Sequence, residues 1–161
     1  MKKEDIYNYL NNKNIKYDKK EHKAVYNMKE SKEVTNLGSN VAKNLFVRDD
    51  KKRNYYLISI KGDKRIDLKE FKNQNNTRKL SFASETDLMN ILNLTKGSVT
   101  PLGILNDKDK KVKFFLDKEF LAKPYTIGIH PNDNTATIFI KTIDLIEIIK
   151  SHGNEVKIIN I

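Results

Sequence analysis

One stretch of ten residues, Asn-Val-Ala-Lys-Asn-Leu-Phe-Val-Arg-Asp at 40–49, restricts the fold more than any other part of the chain. The stretch is short, is rich in branched and aromatic residues, and runs into a polar Asp-Asp-Lys-Lys turn, which predicts a β-strand. Side chains along a strand alternate between its two faces, and here both faces carry apolar residues. We therefore expect this strand to be covered on both sides.

Lys43 is the exceptional residue of this strand, because it shares a face with Val41, Leu45 and Val47. Burying an ammonium group without a partner is costly, so such a lysine needs a partner, a hydrated cavity or a change of protonation. The alternative is that Lys43 extends along its own methylene groups and reaches water. The strand taken by itself favours neither alternative over the other.

Length, charge and the lack of cysteine limit the class of protein. A chain of 161 residues suits one domain with a substantial core. Apolar runs are shorter than the roughly 20 residues that cross a bilayer, and the N-terminus lacks a secretory signal, so we expect a soluble cytoplasmic protein without a membrane partner. The absence of cysteine excludes disulfides, thiolate metal ligands and a cysteine nucleophile. A net charge of +10 is compatible with RNA binding but indicates it only weakly.

The rest of the chain is predicted to form short strands in hairpins, with few and scattered helices. Strands are predicted at 15–21, 54–60, 104–105, 112–116, 126–129, 135–141 and 156–159, and helices at 3–12, 28–34, 85–93 and 143–151. Ser84 and Asp87 have the spacing of a capping box at a helix start, and Thr142 is expected to cap the last helix. Without sustained β-α-β alternation, we expect an α+β fold over residues 1–161: a single domain with a mixed, largely antiparallel, barrel-like sheet and several short flanking helices.

Familiar catalytic motifs are missing, since the chain has no P-loop, no dinucleotide-binding glycine pattern, no zinc-protease motif and no nucleophile elbow. The three histidines, His22, His130 and His152, lack the spacing of metal ligands. Two loops carry candidate chemistry. The segment Gly-Ser-Val-Thr-Pro at 97–101 is able to direct backbone N–H groups at a carbonyl oxygen, and His-Pro-Asn-Asp-Asn at 130–134 offers groups that bind ribose or phosphate. Taken alone, each loop fits an ordinary turn at least as well.

Four segments in combination resemble the YbaK/ProX-type trans-editing domains, which are free-standing relatives of the insertion domain of bacterial prolyl-tRNA synthetase. They are VAKNLFVRD at 41–49, LSFASETDL at 80–88, GSVTPLGILND at 97–107 and HPNDNTATI at 130–138. The resemblance runs from His22 to the C-terminus and implies hydrolysis of the ester that joins a wrong amino acid to tRNA. The KNLF and GSVTPL forms are most similar to the ProX branch, which implies removal of alanine from tRNA(Pro).

The resemblance also implies roles for individual residues. The catalytic set that it implies consists of Lys43, Gly97, Ser98, Val99, Thr100 and Pro101. The substrate-binding set that it implies consists of Asn44, His130 and Asn132. In this scheme Lys43 anchors the terminal nucleotide or polarises the ester, the loop amides hold the carbonyl, and His130 orients the ribose. His22 precedes a lysine where the family often has proline, so no role is given to it.

The same resemblance implies a reaction without metal or cofactor, in which the 2′-hydroxyl of the terminal adenosine assists the attacking water. An ester is already activated, so positioning and carbonyl polarisation suffice for such chemistry. We therefore expect hydrolysis to survive treatment with EDTA. Loss of activity on chelation, followed by recovery when zinc is added, would contradict this prediction.

The expected partners are aminoacyl-tRNA, above all tRNA(Pro), together with prolyl-tRNA synthetase, whereas no role is expected for DNA. Three alternatives stay open: deacylation of Cys-tRNA or Ser-tRNA by the same chemistry, a non-catalytic tRNA- or synthetase-binding module, and a regulatory protein that senses free amino acids. Excluding a larger side chain by steric clash is easier than rejecting a side chain that is smaller by one methylene. One methylene changes the binding free energy by only about 1–3 kcal/mol. The discrimination of alanine from serine or cysteine is therefore the open point of specificity.

Overall fold

A computed structural model of the chain describes residues 1–23 and 40–161. The strands in these ranges are β1 (Tyr17–Glu21), β2 (Ala42–Asp49), β3 (Tyr55–Lys61), β4 (Leu80–Phe82), β5 (Val112–Asp117), β6 (Thr126–Ile129), β7 (Ala136–Lys141) and β8 (Val156–Ile159). The helices are α1 (Lys3–Asn12), α2 (Leu68–Asn75), α3 (Glu85–Asp87, continued as a π-helix over Leu88–Leu92) and α4 (Thr142–His152). Two 3₁₀-helices cover Pro101–Asn106 and Lys118–Leu121.

The strands form two sheets, one of five strands in the order β4-β2-β3-β5-β8 and one of three in the order β1-β7-β6. β3 and β8 run parallel to β5, and the other strand pairs are antiparallel. An isolated bridge between Val41 and Gly128 joins the two sheets. There the Gly128 N–H donates to the carbonyl of Asn40 at 2.9 Å, so the beginning of β2 lies beside β6.

Apolar side chains cover both faces of the five-stranded sheet. Ala42 and Phe46 of β2 belong to the larger core, which also contains Leu57 of β3 and the buried residues of α4. Val47 belongs to a second, smaller core on the other face, together with residues of α2 and β8. The prediction that β2 is covered on both sides is therefore confirmed.

Helix α3 is attached to β2 by its first turn. Ser84 and Asp87 form the predicted capping box, in which the Asp87 N–H donates to the Ser84 hydroxyl at 3.0 Å. The Asp87 carboxylate also pairs with the Arg48 guanidinium of β2. Burial opposes ionisation of Asp87, but hydrogen bonds from Ser84 and Arg48 outweigh burial and hold the pKa of Asp87 below its usual range. This ionised carboxylate fixes α3 against the strand.

The predicted α+β class is confirmed, and the helix at 3–12 and the strands at 126–129 and 156–159 have the predicted bounds. Two details differ. The two sheets do not close into a barrel in the part of the chain that the structure describes, since only the isolated bridge joins them. The predicted helix at 28–34 lies outside the described residues. None of the helices in the described ranges has the length and hydropathy needed to cross a membrane.

The predicted strand at 104–105, and with it the hairpin to 112–116, is wrong. Residues Pro101–Asn106 form a 3₁₀-helix in which the Thr100 hydroxyl accepts from the Leu102 N–H at 3.4 Å. Proline at the first position of this helix fixes a helical φ and needs no hydrogen-bond acceptor. β5 therefore lies between two parallel neighbours instead of in a hairpin.

Thr142 also differs from its predicted role as the cap of the last helix. It is the first residue of α4, with Lys141 at the capping position. Its hydroxyl donates to the carbonyl of Phe120 at 2.7 Å, so it fastens the start of α4 to the second 3₁₀-helix.

Candidate active site

β2 is paired with β3 over nearly its whole length, but its other edge is paired only in part. β4 covers the last three residues of β2, and the Ala83 N–H adds one bond to the carbonyl of Phe46 at 3.0 Å. β6 approaches this edge only at the Val41 bridge. Between these contacts, at residues 43–45, no other strand among the described residues pairs with the edge of β2. The gap therefore falls on the KNL part of the KNLF segment.

A groove of about 540 Å³ opens at this gap. Its walls include Asn44, Leu45, Phe46, Phe82, Leu88 and Val99. The lining is mostly apolar with a few polar groups, and the volume lies in the range of small-molecule sites. Another groove, of about 480 Å³, lies between α3 and residues 105–111 and contains none of the predicted site residues. Of the predicted site residues, Asn44 and Val99 line the groove at the edge of β2.

Asn44 connects β2 to the loop at 97–101. Its Nδ2 donates to the carbonyl oxygen of Val99 at 3.3 Å, and its Oδ1 accepts from the hydroxyl of Ser59 on β3. Because both ends of the carboxamide are engaged, the side chain has a fixed orientation. Asn44, which was predicted to bind substrate, thus also holds the loop against the groove.

The loop amides differ in whether they are free to bind a substrate. Gly97 has a φ of 94°, a left-handed conformation that favours glycine. The Ser98 N–H donates to the carbonyl of Thr95 at 3.0 Å, and this bond closes the turn. The N–H groups of Gly97, Val99 and Thr100 have no acceptor within residues 1–23 and 40–161, and proline at 101 has no N–H. Thr100 is fully buried, whereas Gly97 and Val99 are half-buried, so the oxyanion-binding role stays a prediction for the Gly97 and Val99 amides.

Thr100 fastens the loop to the end of β6. Its side chain is fully buried, and its hydroxyl donates to the carbonyl oxygen of His130 at 2.6 Å. This bond joins the loop at 97–101 to the first residue of the HPNDN segment. Three of the predicted elements, namely Asn44, the loop and His130, are therefore linked by direct hydrogen bonds.

The imidazole of His130 has a defined tautomer. Its Nδ1 lies 2.9 Å from the carbonyl oxygen of Ala136. Since a carbonyl oxygen only accepts, Nδ1 carries the proton and Nε2 keeps its lone pair. Burial lowers the pKa of His130 below its usual value, against a smaller opposing effect of the bond to Ala136. The ring is therefore neutral near pH 7 and presents Nε2 as an acceptor.

His22 is a residue to which sequence reasoning gave no role, yet its ring centroid lies 6.3 Å from that of His130. Its Nδ1 lies 2.7 Å from the carbonyl of Lys23, and its Nε2 lies 2.9 Å from the hydroxyl of Thr137. The first contact makes Nδ1 the donor, so Nε2 accepts from the hydroxyl. The two histidines become neighbours because β1 pairs with β7, and no local sequence signal indicates that pairing.

Asn132 has a φ of 61°, and its Nδ2 donates to the carbonyl of Met1 at 2.9 Å. The donor end of the carboxamide is therefore occupied. Its Oδ1 is buried and has no partner in the part of the chain that the structure describes. No hydrogen bond among the described residues connects Asn132 to the loop at 97–101, so its substrate-binding role stays a prediction.

Lys43 is half-buried on the strand face that it shares with Leu45, a residue of the groove wall. Two residues along a strand are about 7 Å apart, a distance that the four methylene groups of lysine span. Its ammonium makes no hydrogen bond or ion pair within residues 1–23 and 40–161. Lys43 is therefore a partly exposed cation beside the groove, two residues from Leu45 of its wall, and is not itself among the lining residues.

Within the described ranges, no group of three or more histidine, aspartate or glutamate side chains is arranged to hold a metal ion.

The comparison with known families identifies the class of protein. A family model of the aminoacyl-tRNA editing domain matches residues 22–148, so the chain belongs to this family. The resemblance of the four sequence segments is thereby confirmed, and with it the interpretation of the chain as an enzyme that deacylates mischarged aminoacyl-tRNA.

Individual relatives agree with this assignment. The chain is 38% identical to the prolyl-tRNA editing protein ProX of Acetoanaerobium sticklandii, over 99% of this chain and 97% of that protein. It is 33% identical to the prolyl-tRNA synthetase associated domain-containing protein 1 of Mus musculus, over 87% of this chain and 85% of that protein. A solved structure of a candidate trans-editing enzyme for prolyl-tRNA synthetase has a TM-score of 0.71 at 18% identity, over 99% and 96% of the two chains, which shows a shared fold.

Proposed function

We propose that this chain removes alanine from mischarged tRNA(Pro) by hydrolysing the ester of Ala-tRNA(Pro). One observation carries the proposal: hydrogen bonds join Asn44, the loop at 97–101 and His130 beside the groove at the open edge of β2. The choice of tRNA(Pro) is supported by the 38% identity to a protein named for prolyl-tRNA editing. On this proposal prolyl-tRNA synthetase supplies the mischarged substrate, and the enzyme works in the cytoplasm.

The chemistry requires only water and the substrate. Water adds to the carbonyl carbon of the ester, the bond to the ribose oxygen breaks, alanine leaves and the ribose oxygen regains a proton. On this proposal the Gly97 and Val99 amides donate to the carbonyl oxygen as it gains negative charge, and such donors stabilise an oxyanion transition state. The Nε2 of His130 is the acceptor available to a ribose hydroxyl, and the Lys43 ammonium binds the phosphate or polarises the ester.

Leu45 and Val99 both line the groove. On this proposal their side chains form the apolar space that accepts the methyl group of alanine and excludes the larger ring of proline. Exclusion by steric clash protects the correctly charged tRNA. Serine and cysteine differ from alanine by one heavy atom, so they are the close competitors.

The deciding experiment measures deacylation of Ala-tRNA(Pro), Ser-tRNA(Pro), Cys-tRNA(Pro) and Pro-tRNA(Pro) under identical conditions. We expect rapid loss of alanine with proline retained. Preferred hydrolysis of Ser-tRNA(Pro) or Cys-tRNA(Pro) would support the proposed ester hydrolysis but contradict alanine as the amino acid removed. No hydrolysis of any of the four by folded protein, with tRNA still bound, would replace the proposal by a non-catalytic tRNA-binding module.

The protonation state of His130 gives the reaction a predicted pH dependence. Its pKa lies below the ordinary value of about 6.5, so the neutral form with a free Nε2 lone pair persists through neutral pH. As the pH falls through this lowered pKa, Nε2 becomes protonated and no longer accepts a hydrogen bond from ribose. After correction for spontaneous ester hydrolysis, the acid decline of kcat/KM is therefore expected at a lower pH than a histidine of ordinary pKa would give.

The control for this pH profile compares two histidine variants. His130→Ala is expected to lower kcat/KM by about 10- to 100-fold and to abolish the acid decline. His152→Ala, at the end of α4, is expected to change neither quantity. An acid decline that persists unchanged in His130→Ala would contradict the role given to His130.

A further inference from the structure

Phe82 is an exposed aromatic residue at the rim of the groove. Six large apolar side chains are exposed in the part of the chain that the structure describes, and among them only Phe82, at 62% exposure, lines the groove beside Asn44 and Val99. It is the last residue of β4, the edge strand next to the gap in the sheet. An exposed aromatic face beside a polar site is a stacking surface for a planar ligand.

The surroundings of Phe82 provide a suitable shape and charge for a nucleotide. Leu88 and Phe46 give the groove an apolar floor, and the exposed Lys96 contributes a cation to its wall. The Glu85 carboxylate also lies in the lining, so an anionic group is favoured on the Lys96 side and disfavoured beside α3.

The length of the groove along β2 also matches the length of one nucleoside. Phe82 is paired with Val47, so its side chain lies on the face of the sheet that carries Lys43 and Leu45, opposite to that of Asn44. Val47 lies three residues along β2 from Asn44, and three residues of a strand span about 10 Å. This length separates the end of the groove at Asn44 and Val99 from Phe82, so a ribose with its base is able to span the open edge of the sheet between them.

We propose that Phe82 is the platform on which the terminal adenine base of the aminoacyl-tRNA stacks, and that Lys96 contacts a phosphate of the single-stranded acceptor end. This inference rests on the proposed function, because it places the ester at Asn44 and Val99. Stacking on an aromatic side chain together with a backbone cation is the common mode of binding single-stranded nucleic acid. Phe82 thus fixes the terminal nucleotide, which sets the position of the ester relative to the loop amides.

Fluorescence tests the stacking directly. The probe is tRNA(Pro) with 2-aminopurine in place of the terminal adenine and alanine attached through a non-hydrolysable 3′-amide. Binding to the wild-type protein is expected to quench the fluorescence, because 2-aminopurine is quenched when it stacks. Phe82→Ala is expected to remove the quenching and to weaken binding about tenfold, whereas Phe82→Tyr retains both. The matched control is Ile143→Ala, which truncates an equally exposed apolar residue on α4.

Kinetics and salt dependence supply the second test. Phe82→Ala is expected to raise KM for Ala-tRNA(Pro) about tenfold with a smaller change in kcat. Lys96→Ala is expected to reduce the slope of log affinity against log salt by about 0.7, and Lys108→Ala serves as the exposed-lysine control. Wild-type quenching and KM in a folded Phe82→Ala variant would overturn the inference. If the wild-type protein hydrolyses no ester, the proposed function fails, while quenching still reports whether Phe82 stacks on the base.

Discussion

Replacing Lys43 by alanine is expected to lower the rate of alanine release from Ala-tRNA(Pro) by about 100-fold or more. Lys43 lies two residues along β2 from Leu45 of the groove wall, and its ammonium makes no hydrogen bond or ion pair with any residue that the structure describes. Its removal therefore leaves no described buried group unpaired, and the expected loss of stability is below about 1 kcal/mol, the range of strand propensity. The variant is thus expected to fold normally and to fail in catalysis. Single-turnover deacylation, together with thermal unfolding followed by circular dichroism, measures both effects.

The kinetic and binding constants of Lys43→Ala, compared with those of one control variant, identify what Lys43 does. If the ammonium anchors a phosphate, Lys43→Ala raises KM and reduces the salt dependence of binding. If it polarises the ester, the loss falls on kcat and the salt dependence is unchanged. Lys113→Ala removes an exposed lysine from β5 of the same sheet and is expected to retain full activity. Near-wild-type turnover by folded Lys43→Ala would remove the lysine from the mechanism.

Local sequence patterns were sufficient for the parts of the fold that depend on neighbouring residues. Alternation over 40–49 predicted a strand covered on both faces, because the period of side-chain direction is fixed by backbone geometry. The capping box at Ser84 and Asp87 was likewise readable, since its bonds join residues three apart. The pairing of β5 was not predictable from local patterns, because its parallel neighbours β3 and β8 are remote in sequence. The strand-like residues 104–105 were misassigned because burial, rather than strand pairing, explains their apolar character.

The candidate site was also predictable only in part. The residue types of the KNLF, GSVTP and HPNDN segments identified candidates, but not the bonds that connect them. Use of the Ser98 amide in a turn with Thr95 depends on loop conformation, which the glycine at 97 permits and does not specify. The groove arises because β4 and β6 cover different parts of one edge of β2. Such a gap depends on the order of the strands in the sheet, and no local sequence pattern predicts it.

Replacing Asn44 by alanine is expected to give the second-largest loss of activity, about 10- to 100-fold in kcat. The Nδ2 of Asn44 holds the carbonyl of Val99 at 3.3 Å, and the Val99 amide belongs to the same residue. Without this bond the loop is free to shift, and a displacement of about 1 Å from the reacting atoms is enough to cost about 100-fold. The effect is therefore expected in kcat more than in KM, and it is measured as the rate of single-turnover deacylation of Ala-tRNA(Pro) at saturating enzyme concentration.

Two substitutions separate this positioning role from a general loss of packing. Asn44→Asp keeps the size of the side chain but replaces the donor with a carboxylate oxygen, which repels the Val99 carbonyl, so its kcat is expected to fall at least as far as that of Asn44→Ala. Ser59→Ala removes the hydroxyl that donates to the other end of the Asn44 carboxamide, its Oδ1, and leaves the bond to Val99 in place. It is expected to cost about 1 kcal/mol of stability with a smaller loss of kcat. If Asn44→Asp retained wild-type kcat while Ser59→Ala did not, the bond to the loop would be irrelevant, and Asn44 would act through the core of the sheet.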